Sequence, residues 1–231
     1  MTPLVLLPGM MCDARLWGPV MGSFGRRTVI HAALTERDSV EDLAAMVLAE
    51  APPSFALAGL SMGGIVAMEI VRQAPGRVER LALLDTNPLA EQPEVRARRE
   101  PQIARARAGR LEDVMRDEMK PNYLAEGPGK QPILDLCMDM ALSLGPAVFE
   151  RQSRALAARP DQQETLRSYR GDALVLMGRE DRLCPRDRHD LMHALLTTSR
   201  LALVDGAGHL PPLEQPAVTA REMASWLDGF P

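Results

Sequence analysis

The sequence predicts an α/β fold in which a mostly parallel sheet of about six strands is wrapped by helices. Short apolar runs recur along the chain, and their continuous rather than alternating apolar character is typical of strands covered on both faces. Helical patterns lie between these runs, and alternation of strand with helix indicates a parallel sheet. The chain has 231 residues, 46% hydrophobic and 25% charged, which suffices for one sizeable core.

Turn residues bound each predicted element. The six predicted strands are, in chain order, residues 4–7, 28–30, 55–58, 81–84, 173–177 and 201–204. Ser39 is followed three residues later by Asp42, a pattern that resembles a capping box with Asp in place of Glu and predicts a helix start. Residues 216–230 have the apolar spacing of a helix that packs on the sheet.

The alternation of strand and helix breaks between Asn87 and about Arg170. This stretch is helical in pattern, rich in Arg, Met and Ala, and punctuated by prolines. It is too long for a loop in a compact domain. We therefore expect one domain over residues 1–231, with a helical insertion over residues 88–170 before the last two strands.

The net charge, the cysteines and the apolar runs limit which partners and which cellular location are expected. A net charge of -4 gives no overall attraction to nucleic acid, so we expect no nucleic-acid partner. Cys12, Cys137 and Cys184 form no C-x-x-C pair, and their odd number favours a reducing, cytoplasmic location. The apolar start of the chain lacks a basic segment and is interpreted as a strand, and no run reaches the roughly 20 apolar residues of a membrane span.

The stretch "GLSMGG", residues 59–64, lies where a predicted strand meets a predicted helix. A sharp turn at this junction would crowd any β-carbon, and glycine relieves that crowding. The glycines on either side of Ser61 therefore predict an exposed serine hydroxyl at the edge of the sheet. That placement makes Ser61 the candidate nucleophile.

A nucleophilic serine requires a base, and the chain offers four histidines: His31, His189, His193 and His209. His209 lies in the loop "GAGHLPPLEQP" directly after the last predicted strand. Gly206 and Gly208 allow that loop an irregular path, as presentation of an imidazole over a sheet edge requires. His209 is therefore the candidate base.

The candidate acid is Asp181, in the loop "GREDRLCP" after the preceding strand. A carboxylate held against the imidazole would fix its tautomer and stabilise the imidazolium. Asp181 is also interpretable as a turn residue or a helix cap. Asp85, at the end of the strand "LALL", is a rival acid from a different strand.

The order Ser61, Asp181, His209, with each residue just beyond a strand, resembles the α/β-hydrolase fold superfamily over essentially the whole chain. "GLSMGG" matches G-x-S-x-G, and the acid and histidine loops resemble those of the family. Each motif alone is weak, but the three in this order are specific. The chain looks like a short, serine esterase- or thioesterase-like member, in which the insertion resembles the family's helical lid.

The resemblance implies roles for residues near the first strand. It places Gly9 at the family's glycine and makes the backbone N–H groups of Met10 and Met62 the oxyanion hole, with Pro8 where the family usually has His. Trp17 matches the aromatic residue that commonly closes this motif. Five apolar side chains of the insertion suit either a pocket lining or an ordinary core: Met115, Met119, Met138, Met140 and Leu142. No cofactor and no metal are implied.

The predicted function is hydrolysis of a carboxylic ester or thioester through an acyl-enzyme, with a small-molecule or carrier-linked acyl group as substrate. Fold does not fix function, so two alternatives stay open. A lyase or carbon–carbon bond hydrolase would use the triad mainly to move protons, without an acyl-serine. A small-molecule receptor would keep the triad but turn over slowly.

Two further patterns have competing interpretations. "HDLMH" spaces His189 and His193 as in a zinc motif, but Asp replaces Glu and no third ligand follows at the family spacing, so an ordinary helix surface is favoured. Six arginines crowd the start of the insertion: Arg96, Arg98, Arg99, Arg105, Arg107 and Arg110. They form either a solvated helix face or a docking surface for an acidic acyl carrier or a coenzyme A thioester.

Overall fold

Six parallel strands form one sheet in the computed structural model, which describes residues 1–229. The strands are β1 (Leu4–Leu7), β2 (Val29–His31), β3 (Phe55–Leu60), β4 (Val78–Leu84), β5 (Asp172–Gly178) and β6 (Ser199–Val204). Their order across the sheet is β2-β1-β3-β4-β5-β6, and every neighbouring pair is parallel. The predicted fold class is confirmed.

Helices connect the strands and cover both faces of the sheet. The α-helices are α1 (Val40–Glu50), α2 (Met62–Gln73), α3 (Pro93–Arg105), α4 (Leu111–Val114), α5 (Lys130–Ala157), α6 (Gln163–Ser168), α7 (Arg186–Leu195), α8 (Pro211–Glu214) and α9 (Pro216–Leu227). Short 3-10 and π segments are Ala14–Phe24, Pro75–Arg77, Ala106–Arg110, Met115–Met119 and Lys120–Asn122. The predicted C-terminal helix is present as α9, and Phe230 of that prediction lies outside the described residues.

The start of α1 follows the predicted cap. The Ser39 hydroxyl oxygen accepts a hydrogen bond from the Asp42 backbone N–H at 3.0 Å and donates one to the Asp42 carboxylate at 2.8 Å. This reciprocal pair satisfies one of the N–H groups that a helix start leaves without an intrahelical acceptor.

The core lies on both faces of the sheet because successive strand residues point to opposite sides. Val5 and Leu7 belong to the apolar layer beneath α1 and α2. Leu4 and Leu6 belong to the opposite layer, with Trp17 of the 3-10 segment and Trp226 of α9. Burial on both faces explains why the strands read as continuous apolar runs.

The chain between β4 and β5 is helical and contains α3 to α6. Gly109 and Gly145 interrupt it with φ values of 80° and 79°. The Lys130–Ala157 helix is long and apolar enough, by length and composition, to cross a membrane. However, the break at Gly145 divides it into two segments, each shorter than the roughly 20 residues that a span requires.

The three cysteines are buried free thiols. Burial raises the pKa of Cys12, Cys137 and Cys184, to about 12 for Cys137. All three are therefore protonated and weakly nucleophilic at neutral pH. The cytoplasmic location expected from these residues stays a prediction.

Candidate active site

Ser61 occupies a sharp turn between the end of β3 and the start of α2. Its backbone has φ 54° and ψ -114°, a conformation that L-residues rarely adopt. The turn is tied to the strand end, because the Ser61 N–H donates to the Leu84 carbonyl at 2.9 Å and the Thr86 hydroxyl donates to the Ser61 carbonyl at 2.7 Å. Neighbouring structure thus holds the strained residue in place.

The glycines around Ser61 are required by close backbone approach. A β-carbon on Gly59 would lie 2.2 Å from the Gly63 carbonyl oxygen, and one on Gly63 would lie 2.2 Å from the Leu7 carbonyl oxygen. At Gly64 the contact would be the Thr86 side chain, at 2.6 Å. Real β-carbons do not approach other atoms so closely, so α2 can start this near β1 and β3 only with glycine at these positions.

The structure brings the three candidate residues into one chain of hydrogen bonds. The His209 Nε2 atom lies 2.9 Å from the Ser61 Oγ atom, and its Nδ1 atom lies 2.9 Å from the Asp181 Oδ2 atom. The side chains of His209 and Asp181 are 6% and 0% exposed. With Nδ1–H donating to the carboxylate, Nε2 is the acceptor that faces the serine hydroxyl.

Asp181 is held as a carboxylate by several donors. Its Oδ1 atom accepts hydrogen bonds from the backbone N–H groups of Leu183 at 2.8 Å and Cys184 at 3.2 Å. Burial alone would raise the pKa of Asp181, but the charge and hydrogen bond of His209 and these two N–H groups outweigh it and lower the pKa. Asp181 therefore stays ionised at neutral pH.

Asp85, the rival acid, is fully buried at the end of β4 and forms no hydrogen bond with His209. Its Oδ1 atom accepts from the Gly178 N–H at 2.8 Å, and its backbone has φ 44°. Burial and the adjacent Asp181 charge raise the pKa of Asp85 well above its usual value. This raised pKa favours the protonated form of Asp85 beside Asp181.

Glu214, which sequence reasoning missed, organises the histidine loop. Its carboxylate accepts from the backbone N–H groups of Ala125 at 2.7 Å, Gly208 at 2.9 Å and Leu210 at 2.9 Å. These bonds join the loop that carries His209 to the chain after α4. The only available signal was an acidic residue in "PPLEQP", which does not reveal backbone contacts.

The loop after β1 presents backbone donors next to Ser61. Met10 and Met62 both line the cavity at the serine, and their N–H groups have no acceptor within residues 1–229. The neighbouring Met11 N–H donates to the buried Gln152 side chain at 2.8 Å. Gln152, on α5, was also missed by sequence reasoning, and it fixes the loop that carries Met10.

A cavity of about 530 Å³ opens at Ser61 and His209. Its walls come from the ends of the strands and from the helical chain between β4 and β5. Of the five apolar side chains considered for a lining, Met119 contacts the cavity. The other four do not line the cavity. Met115 and Met140 are buried in the core, Met138 packs against the core, and Leu142 is 47% exposed.

The histidines of "HDLMH" differ from their predicted surface placement. His189 is fully buried, and this burial lowers its pKa to about 4. His193 is exposed, and its Nδ1 atom lies 2.8 Å from the Ser199 hydroxyl. The prediction of an ordinary helix surface is therefore wrong for His189, because α7 packs that residue against the sheet.

Among residues 1–229, one group of side chains could offer atoms to a metal ion. Ligand atoms of Asp181, Cys184 and His209 lie within 4.8 Å of one another. Two of these residues already hydrogen-bond each other, and the Cys184 thiol has a raised pKa. Metal binding would therefore require loss of the Asp181–His209 hydrogen bond and of a thiol proton.

Most of the arginines at the start of the insertion form ion pairs within the chain. The pairs are Arg99–Glu91, Arg105–Glu118, Arg107–Glu150 and Arg110–Asp113. Arg98 and Arg99 line the cavity. The charges of this segment divide between internal pairs and the cavity wall, and docking of an acidic acyl carrier or a coenzyme A thioester at these arginines stays a prediction.

Comparison with known proteins identifies similar sequences over nearly the whole chain. A model described as "Alpha/beta hydrolase family" matches residues 4–222. The pimeloyl-[acyl-carrier protein] methyl ester esterase of Klebsiella pneumoniae (strain 342) is 26% identical over 234 residues, which cover 93% of this chain and 89% of the relative.

Solved structures match the same architecture. A thermophilic esterase from Thermogutta terrifontis has a TM-score of 0.86 at 25% identity, covering 99% of this chain and 90% of that chain. The enol-lactonase of Burkholderia xenovorans LB400 has a TM-score of 0.88 at 19% identity, covering 99% and 92%. The second likeness concerns the fold alone.

Proposed function

The chain belongs to the alpha/beta hydrolase family and is a carboxylic ester hydrolase, and we propose that it cleaves its substrate through an acyl-enzyme on Ser61. The observation that carries the proposal is the hydrogen-bonded series Ser61–His209–Asp181 at the mouth of the cavity. Such a series converts a weakly acidic hydroxyl into a nucleophile, because the base removes its proton during attack.

The proposed reaction gives each of these residues one role. Ser61 Oγ attacks the acyl carbon while His209 Nε2 takes its proton, and Asp181 stabilises the imidazolium. His209 then protonates the departing alcohol or thiol. In the second half of the reaction, His209 takes a proton from a water molecule that attacks the acyl carbon. Return of that proton to Ser61 Oγ releases the carboxylic acid and the free serine.

We assign the oxyanion hole to the N–H groups of Met10 and Met62. Both residues line the cavity at Ser61, and neither N–H group has an acceptor in the described part of the chain. Each oxyanion donor contributes about 3 kcal/mol to stabilisation of the transition state. Gln152 supports the assignment, because its hydrogen bond to the Met11 N–H ties down the backbone next to Met10.

We propose that the insertion, residues 88–170, acts as a cap that shapes the substrate pocket. It contributes residues from Glu91 to Arg159 to the cavity wall, including Met119 and Tyr123. The acyl or leaving group would therefore contact the cap. The name of the Klebsiella relative makes a carrier-linked acyl ester one substrate to test, beside small-molecule esters and thioesters.

A panel of p-nitrophenyl esters of graded acyl length tests the activity, with Ser61→Ala as the matched control. The expected result is turnover by the wild type and a loss of roughly 10⁶-fold in kcat for Ser61→Ala. Equal turnover by both proteins would overturn the assignment of Ser61. Acid quench during turnover separates the alternatives, because a lyase would leave no acyl-Ser61 and a receptor would show negligible turnover of every ester.

A further inference from the structure

Five arginines line the cavity at Ser61, and they come from separate parts of the chain. They are Arg98, Arg99, Arg159, Arg182 and Arg188. The acidic residues in the same lining are Glu91 and Glu118. Positive side chains thus outnumber negative ones around this cavity, although the whole protein has a net charge of -4.

Internal ion pairs do not balance this positive charge. Glu91 is 3% exposed and serves both Arg99 and Arg159, the latter at 3.0 Å. Glu118 pairs with Arg105, which is outside the cavity lining. Two guanidinium groups therefore share one buried carboxylate.

Arg188 adds a third positive charge to the same neighbourhood. Burial lowers the pKa of Arg159, Glu91 opposes this effect, and the nearby charges of Arg99 and Arg188 lower the pKa further. The Arg188 side chain is 22% exposed, and it pairs at 3.2 Å with Asp187, whose side chain is 62% exposed. A solvated partner of this kind neutralises little charge inside the cavity.

We propose that this cavity binds an anionic group of the substrate, a carboxylate or a phosphate, at Arg188 and Arg159 while the ester carbonyl lies at Ser61. The inference rests on the proposed function, since it concerns the same cavity. An anion would offset the unbalanced charge of the three guanidinium groups, and arginine presents paired donors that match both carboxylate and phosphate oxygens. Arg98 and Arg182, which form no salt bridge within residues 1–229, would attract the anion to the cavity.

Paired substrates separate the two sources of the anion. Monoethyl esters of straight-chain dicarboxylic acids are compared with ethyl esters of the same length that end in a carboxamide. S-acyl-phosphopantetheine is compared with S-acyl-pantetheine. A preference within the first pair identifies a carboxylate on the acyl group, and one within the second identifies a phosphate on the leaving group. The chain length at the optimum measures the span from Ser61 to the arginines.

Arg188→Gln and its matched control Arg186→Gln test the residue assignment. Arg186 lies on the same helix, pairs with Asp190 and does not line the cavity. For the preferred anionic substrate, the expected result is a rise in KM of about tenfold or more in Arg188→Gln and no change in Arg186→Gln. The neutral partner substrate should lose much less than the anionic one in Arg188→Gln, and its continued turnover verifies that this variant folds.

The preference for the anion should weaken as salt is added. Hydrolysis of neutral and anionic substrates at equal kcat/KM, in wild type and Arg188→Gln alike, would overturn this inference and leave the proposed function intact. Absence of turnover for every ester and thioester would overturn the proposed function, and the inference with it.

Discussion

The loops at the carboxyl edge of the sheet and the helical insertion between β4 and β5 are held by different contacts. Carboxylates fix the loops through backbone N–H groups, as the buried Asp181 and the part-buried Glu214 do. The insertion is held by apolar side chains that pack into the core, such as Met115 and Met140, and by ion pairs at its surface, such as Arg110–Asp113. We therefore expect substitutions of the loop carboxylates to disturb the proposed catalytic residues directly, and substitutions of the insertion's cavity-lining side chains to change the pocket instead.

Substitution of the two neighbouring acids tests the loop side of this comparison. Asp181→Asn should lower kcat by about 10⁴-fold, because an amide no longer stabilises the imidazolium or the required tautomer of His209. Asp85→Asn should have a far smaller effect, since Asp85 bonds to Gly178 and not to His209. Steady-state kinetics on one ester measures both. The reverse ranking would assign the acid to the end of β4.

Glycine-to-alanine substitutions in the two regions should differ in their effect on stability. Gly63→Ala should lower the free energy of unfolding by about 1–3 kcal/mol, because its β-carbon meets the Leu7 carbonyl oxygen. Gly127→Ala, in the insertion, has open space around its β-carbon and should change it by less than about 0.5 kcal/mol. Urea denaturation gives both values. Similar values for the two variants would contradict the contrast between a tightly packed turn and an open one.

The raised pKa of Asp85 predicts that the stability of the fold depends on pH. Burial and the Asp181 charge raise its pKa in the folded protein well above the value of about 4 in the unfolded chain. Its contribution to stability is therefore full below about pH 4 and is lost as the pH rises toward the folded pKa. Asp85→Asn should gain stability relative to the wild type at pH 8 and lose that gain near pH 4. Urea midpoints at the two pH values check this, and a gain that grows toward low pH would contradict it.

The positions of the proposed catalytic residues were predictable because strand ends and glycines are visible in the sequence. The apolar runs located all six strands, and the turn residues located the loops after them. Strand bounds were less accurate where polar residues continue a strand. β4 begins at Val78 rather than at Leu81, since Arg80 stays in the sheet by pairing with Asp172.

Long-range contacts of polar side chains were not predictable. Glu214 acts through three backbone N–H groups, and no local pattern marks such acceptors. Gln152 accepts a hydrogen bond from the Met11 N–H, which lies far away along the chain. His189 was placed on a surface because helical spacing alone does not say which face packs on a sheet. Pairing of the arginines likewise depends on tertiary neighbours such as Glu91 and Glu150.

Covalent trapping of the proposed nucleophile tests directly whether Ser61 is the reactive serine. The protein is treated with a fluorophosphonate and digested, and the modified peptide is sequenced by mass spectrometry, with Ser61→Ala treated in parallel. We expect one equivalent of label on Ser61, none on Ser61→Ala, and protection by the preferred ester. Labelling elsewhere, or equal labelling of both proteins, would contradict it.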